Sequence, residues 1–272
     1  MQTQSVLNVK NLNIETTIIT NPKLNKNKQL SAGIINEATK SAIYIETPYL
    51  INPFSISAYD GGKIIPEEQK SYSLVLKAHG GPSENADDIQ AFFNYLKQLD
   101  DKAIDYGILH SQTFFKKKYT LEQKDIVVDL LYNKCVRPSI GPDGKVYPEK
   151  ITLKVSKTVD LLPDILIFKD SIEPLEIKSW EQLQNIIPKG LAVKAIIQPR
   201  LYFVNSKFGI NFRVLQVKLP NYEKISKPIA YAFSDIPVQK EEATLEVQKN
   251  EKISSLNEDY QEDSEVEVEE DD

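Results

Sequence analysis

Two hydrophobic periods occupy different stretches of this chain. "SYSLVLK" alternates, with Tyr72, Leu74 and Leu76 on one side and Ser73, Val75 and Lys77 on the other, which predicts a strand. Gly80, Gly81 and Pro82 then break the pattern. "SENADDIQAFFNYLKQLD" places Ile89, Phe92, Phe93, Leu96 and Leu99 at helical spacing, with Ser83 as the N-cap and acids in the first turn. That aromatic stripe reads as core packing. A second, shorter helix is expected from Leu121 to Leu131. After the turn composition "GPDGK", alternation returns in "KITLKVSK". Ile151, Leu153 and Val155 point inward there, and Lys150, Thr152, Lys154 and Ser156 outward. "DILIFKD" predicts a short strand. "LAVKAIIQPRLYFVNSKFGINFRVLQVKLP" predicts two strands joined near Asn205–Lys207. In the first of the two, Val193, Ala195, Ile197, Leu201 and Phe203 form the core face, and Lys194, Gln198, Arg200 and Tyr202 the other. In the second, Arg213 has the opposite parity to Ile210, Phe212 and Val214.

The ends differ from this middle. Residues 1–30 are polar, with sparse apolar positions at Val6, Leu7, Val9 and Leu12, and read as a loose arm or a peripheral strand. Strand signals begin near Ala32 and continue in "AIYIETPYL", which Pro48 stops. Apolar content falls after Pro228, and no defensible period remains from about Asp235. Many modest strands interrupted by one strong helix and one short one predict a mainly β fold. The expectation is an oligonucleotide-binding (OB) barrel over residues 31–234 with a helical insertion near 83–131; a β-sandwich is the alternative. Residues 235–272 combine low hydrophobicity with high charge and are expected to form a disordered tail.

Composition adds three constraints. A chain of 272 residues, 41% of them hydrophobic, is long enough to bury a core. The single cysteine, Cys135, excludes a disulfide within the chain and suits a reducing, intracellular compartment. No apolar run approaches the roughly 20 residues that cross a bilayer, and the N-terminus has no secretory-signal pattern. Charge is unevenly spread. The chain carries −6 overall, and its last sixteen residues, "NEDYQEDSEVEVEEDD", carry −10, so residues 1–256 sum to +4. A mildly basic body with an acidic terminus fits a polyanion binder, and equally a soluble protein with a charged end.

Candidate chemistry is thin. His79 and His110 stand in unrelated contexts, no His/Cys spacing suggests zinc, and there is no glycine-rich phosphate loop. No metal or cofactor is expected. Asp164, Glu176 and Lys178 match the order of a Pro-Asp…Glu-x-Lys nuclease signature, in which two strand-borne acids hold Mg²⁺ and the lysine stabilises developing charge. The bland reading is a surface hairpin with solvated charges. Basic and aromatic residues interleave in "FFKKKY", "YNKCVR", "KVYPEK", "PRLYFVNSKF" and "NFRVLQVK". Single-stranded nucleic acid requires this mixture, because cations follow phosphates while rings stack on bases. Only contacts at the 2′-hydroxyl distinguish RNA from DNA, so an RNA-binding OB protein is a further alternative. In "FFKKKY" the rings either close the helical insertion or join the binding surface.

"IETPYLINPFSISAY", "YSLVLKA", "VYPEKITLKV" and above all "KGLAVKAIIQPRLYFVNSKFGINFRVLQVKL" resemble single-stranded DNA-binding proteins of nucleocytoplasmic large DNA viruses. That family is similar to the replication single-strand binders of podoviral phages. The resemblance runs from about Ile45 to Leu219. It implies an OB fold with a helical insertion and non-enzymatic, sequence-independent binding of single-stranded DNA in replication, recombination and repair. The DNA-binding candidates on the surface are Lys150, Lys154, Arg200, Tyr202, Lys207 and Arg213; the resemblance itself matches the ring-bearing turn Tyr202–Phe208 and Gly209. It also implies an acidic tail that competes with DNA and contacts replication partners such as a replicative polymerase or helicase-primase, here through Tyr260, Glu269, Glu270, Asp271 and Asp272. A homodimer, and a place in a viral factory, nucleus or virion, belong to the same expectation. Two departures stand out. Where the family often has tryptophan before the turn, this chain has "LYF", leaving Tyr202 as the stacking ring. Where phage tails end in an aromatic residue, this chain ends in Asp272.

Overall fold

A computed structural model describes residues 6–24, 29–59, 65–79, 86–140 and 143–220. The Ser83 cap, residues 235–272 and the tail positions Tyr260, Glu269, Glu270, Asp271 and Asp272 lie outside the described residues. The chain divides into Met1–Glu223 and Lys224–Asp272, and every described residue belongs to the first unit. Among the described residues no helix is long and apolar enough to cross a membrane.

The fold is mainly β, an OB-like barrel with a helical insertion. The first strands are β1 (Val6–Leu7), β2 (Thr17–Ile19), β3 (Lys23–Leu24), β4 (Leu30–Asn36), β5 (Tyr44–Glu46), β6 (Leu50–Ile51), β7 (Ile56–Tyr59) and β8 (Ser71–Lys77). The insertion is α1 (Ala86–Leu109), α2 (Ser111–Phe115) and α3 (Lys124–Leu130). There follow β9 (Tyr132–Asn133), β10 (Arg137–Ile140), β11 (Val146–Lys157), β12 (Pro163–Asp164), β13 (Leu166–Phe168), α4 (Trp180–Ile186), β14 (Ala192–Val204) and β15 (Lys207–Lys218).

Strand pairing closes a ring. β8 pairs antiparallel with β11, β11 parallel with β15, and β15 antiparallel with β14. The segment from β5 to β7 completes the circuit. It pairs with β14 through Ile45, Glu46, Leu50 and Ile51, then with β8 through Ile56–Tyr59. The Ile51 amide, donating to the His79 carbonyl at 2.8 Å, marks the crossover. Ring closure gives every strand one inner and one outer face, and the alternating sequences obey it. Tyr72, Leu74, Leu76, Ile151, Leu153, Val155, Val193, Ala195, Ile197 and Leu201 are buried inside.

Strands β14 and β15 meet in a two-residue turn with positive φ at both Asn205 (51°) and Ser206 (60°). That backbone matches the twist of the flanking strands. The polar N-terminal stretch forms peripheral strands rather than a loose arm over its described part. β2 and β3 pair with β4, and the segment is tied to α1 by Tyr106 Oη donating to the Thr20 carbonyl (2.9 Å) and Lys102 Nζ to the Ile14 carbonyl (3.0 Å).

The insertion docks through rings. α1 runs further than the sequence period indicates, to Leu109, and buries Phe92, Phe93, Leu96 and Leu99 as expected. At Gly107 it approaches β15 so closely that an added Cβ would lie 2.3 Å from the Phe208 ring. Phe114 stacks on Phe203 at 3.8 Å between centroids, and Phe115 lies 5.5 Å from Phe208. The rings of "FFKKKY" therefore close the insertion. His110 packs against Tyr106 in the same cluster, 4.3 Å away. On the far side of the barrel, Ser179 caps α4 by accepting from the Gln182 amide (3.0 Å). Trp180 stacks on Tyr72 at 3.5 Å, and burial, with the Glu67 carboxylate beside it, pushes the Tyr72 phenol up to about 12.

One buried carboxylate ties α1 to the returning chain. Asp100 accepts from the Tyr132 hydroxyl and from the Cys135 amide, the latter at 3.1 Å to each oxygen. Burial raises its pKa above the ordinary aspartate value despite these donors. A raised folded-state pKa stabilises the fold most at low pH, and the contribution declines as pH climbs through that pKa. Urea titrations of wild type and Asp100→Asn are expected to show it. As pH rises from about 4, the ordinary aspartate range, the wild type should lose stability relative to the variant, which keeps an acceptor oxygen but does not titrate.

Candidate nucleic-acid interface

The outer face of the barrel carries the charged side chains that alternate with its core. On β11, Lys150, Thr152 and Lys154 face outward between Ile151, Leu153 and Val155. Register then decides which charges become neighbours. Lys150 is paired with Lys77 of β8 on one side and with Arg137 of β10 on the other. Three cations thus stand directly opposite one another across three strands. Among the described residues none of the three is in an ion pair. Such positions have Cβ atoms about 5 Å apart, and like charges there destabilise a sheet.

A second outer row lies four residues along β11, at Lys154. Ser57, Ser73, Lys154, Arg213 and Gln198 are successive partners across β7, β8, β11, β15 and β14. Arg213 Nη2 donates to Asp164 Oδ2 at 2.5 Å. Lys154 has no ion pair among the described residues. Next to this row, Tyr59 is paired with Ser71 and leaves 73% of its surface exposed.

The six sequence-derived candidates all lie on outer positions of β11, β14 and β15, but they do not form one cluster. Lys154 and Arg213 are direct partners. Lys150 belongs with Lys77 and Arg137, which the sequence reading did not single out. Arg200 is paired with Asn211 and Gly33, beside a cleft lined by Thr20, Lys23 and Ser31. Tyr202 is half-buried. It lies over Gly209, where an added Cβ would be 3.1 Å from its hydroxyl oxygen, and that oxygen accepts from Asn133 Nδ2 at 3.1 Å. Lys207 opens β15 just after the turn, six residues and roughly 20 Å from Arg213.

The nuclease signature does not acquire its geometry. Asp164 is held by Arg213, while Glu176 and Lys178 pair with each other at 3.3 Å in an exposed segment outside any strand. The described residues contain no group of three acids, histidines or cysteines arranged to hold a metal.

Tyr147 is a further residue whose position only pairing reveals. Simple alternation from Lys150 would put it on the inner face. The register shifts between Arg137 and Ser139: Arg137 pairs with Lys150, and Ser139 with Tyr147. Two steps on β10 are therefore matched by three on β11, a bulge at Pro148–Glu149. The extra residue returns Tyr147 to the face of Arg137 and Lys150. Its surface is 38% exposed, with Lys145 Nζ 5.6 Å from the ring.

No protein-family model matches this chain, and no curated protein does. Among solved structures it is similar to the single-stranded DNA-binding protein of bacteriophage Enc34 in complex with single-stranded DNA. Identity is 14% and TM-score 0.40, over 77% of this chain and 98% of that one. It is also similar to gp2.5, a single-stranded DNA-binding protein encoded by bacteriophage T7. There the identity is 11% and the TM-score 0.38, over 70% of this chain and 98% of that one.

The like-charge row has a consequence for the free protein. Lys150→Gln is expected to stabilise the fold by about 0.2–1 kcal/mol at low salt, read from the urea midpoint. The gain should fade near 1 M NaCl, where the screening length is about 3 Å.

Proposed function

We propose that this chain is a non-enzymatic, sequence-independent single-stranded DNA-binding protein whose phosphate track is the outer face of β8, β10, β11 and β15. The observation that carries the reading is the register of Arg137, Lys150 and Lys77. The row costs stability in the free protein, and a polyanion laid across it removes that cost. Lys154 and Arg213 extend the track, with Arg200 beside it. Small polar residues, Ser73 and Thr152, separate the cations and leave the backbone of a bound strand room to approach. An OB-like barrel commonly binds oligonucleotides on the face of its second and third strands, which here correspond to β8 and β11.

In this reading the protein coats transiently exposed strands during viral DNA replication, recombination and repair, as its family resemblance implies. The chain is organised as the polar segment 1–30, the barrel 31–234 and the acidic tail 235–272. The tail, ending in "EVEVEEDD", acts as a tethered polyanion that competes with DNA and offers Tyr260 and the terminal acids to replication partners.

Fluorescence anisotropy with a labelled oligo(dT) tests the binding. Affinity is expected to fall with salt at a log–log slope of roughly −3 to −4, from about 0.7 per neutralised phosphate. Lys154→Ala should flatten that slope by about 0.7–1. Equal affinity for duplex DNA, or no salt dependence, would overturn the reading. Deleting residues 257–272 should tighten binding, most at low salt; unchanged affinity would reduce the tail to a solubility element.

A further inference from the structure

Three rings on or beside the outer face differ in what they offer a base. Tyr202 is half-buried, and its hydroxyl is engaged by Asn133 across Gly209. Tyr59 and Tyr147 are more open, at 73% and 38% exposure. They also stand at opposite ends of one strip. Tyr59 is level with Ser71 at the start of β8. Six residues along, Lys77 is level with Lys150, and Tyr147 lies two pairing steps beyond, past the bulge. The strip is roughly 27 Å long at the rise of a strand. Between the rings lie Lys154, Lys150, Lys77 and Arg137, with Ser73 and Thr152 among them.

The bulge is informative in itself. Without the extra residue, Tyr147 would share the face of Glu149, whose carboxylate pairs with Lys97 of α1 at 2.8 Å. With it, the ring joins the cations. Bulges re-aim side chains at binding surfaces, and this one adds a stacking platform where the phosphate track ends.

Resting on the single-strand-binding reading above, we infer that Tyr59 and Tyr147 stack bases at the two ends of the bound segment. The strand therefore runs lengthwise along β8 and β11 rather than across the β14–β15 hairpin through Tyr202. The cations between the rings hold the intervening phosphates. Neither ring contributes charge, so each acts on affinity without acting on counterion release.

The test uses the full chain and a series of short oligo(dT) probes, each carrying 5-iodouracil at one position. Anisotropy titration first establishes binding. Irradiation and peptide mass spectrometry then identify the joined side chains. Adducts at Tyr59 from substitutions near one end of the probe, and at Tyr147 from substitutions near the other, support the path. Adducts at Tyr202 or in the 204–207 turn overturn it while leaving the single-strand function intact. A probe that does not bind overturns both. In parallel, Tyr59→Leu and Tyr147→Leu should each weaken binding roughly 5- to 100-fold with an unchanged salt slope. Tyr→Phe at either position should restore it. Wild-type affinity in both leucine variants would also overturn the path.

Discussion

Closure of the barrel is the constraint on which the remaining structure depends. One segment, residues 44–59, pairs with β14 at its start and with β8 at its end. That double pairing turns a twisted sheet into a ring and divides every strand into an inside and an outside. The apolar half of each alternating strand then has one place to go. Lys77, Lys150, Lys154, Arg200 and Arg213 are outside for the same reason that Leu76, Ile151, Leu153, Leu201 and Phe212 are inside. A one-residue slip of β11 would bury Lys150 and Lys154 and expose the core, so the charge display is as strongly specified as the core itself.

The insertion leaves this face open because its own apolar surface is spent elsewhere. α1 and α2 are joined to the β14–β15 hairpin by stacked rings of Phe114, Phe115, Phe203 and Phe208. The close approach at Gly107 requires the absence of a side chain. Asp100 fixes where the chain leaves the helices. By accepting from Tyr132 and Cys135 it sets the start of β9 and hence the course of β10, which brings Arg137 beside Lys150. A buried carboxylate thus helps to place a surface cation.

The outer face is unfavourable by its own electrostatics. Three cations opposite one another gain nothing in the free protein, and among the described residues of the second row only Arg213 has a carboxylate partner. Asp164 holds that guanidinium in place at partial exposure, a contact worth little in water and easily exchanged for a phosphate. In the proposed reading, this surface is optimised for an anionic partner at some expense of stability.

Much of this was legible in the sequence by itself. Strict alternation in 71–77, 151–156 and 193–203 determined which residues are core, and helical spacing in 86–99 determined the main helix, because burial follows period locally. The sequence also showed that rings and cations interleave. Three points were decided only by tertiary structure. "FFKKKY" is ambiguous by period, and the position of Phe203 and Phe208 resolves it toward the core. Asp164 matches a nuclease signature by order, yet Arg213, 49 residues away, takes its carboxylate. Alternation puts Lys77 outside and composition marks the stretch that ends in Arg137, but neither signal brings the two together, and the signal at Tyr147 is misleading. Their meeting around Lys150 depends on pairing between strands up to 73 residues apart and on one extra residue in β11. Alternation along a strand is a local property, whereas register between strands is set by turns, bulges and the docking of distant elements.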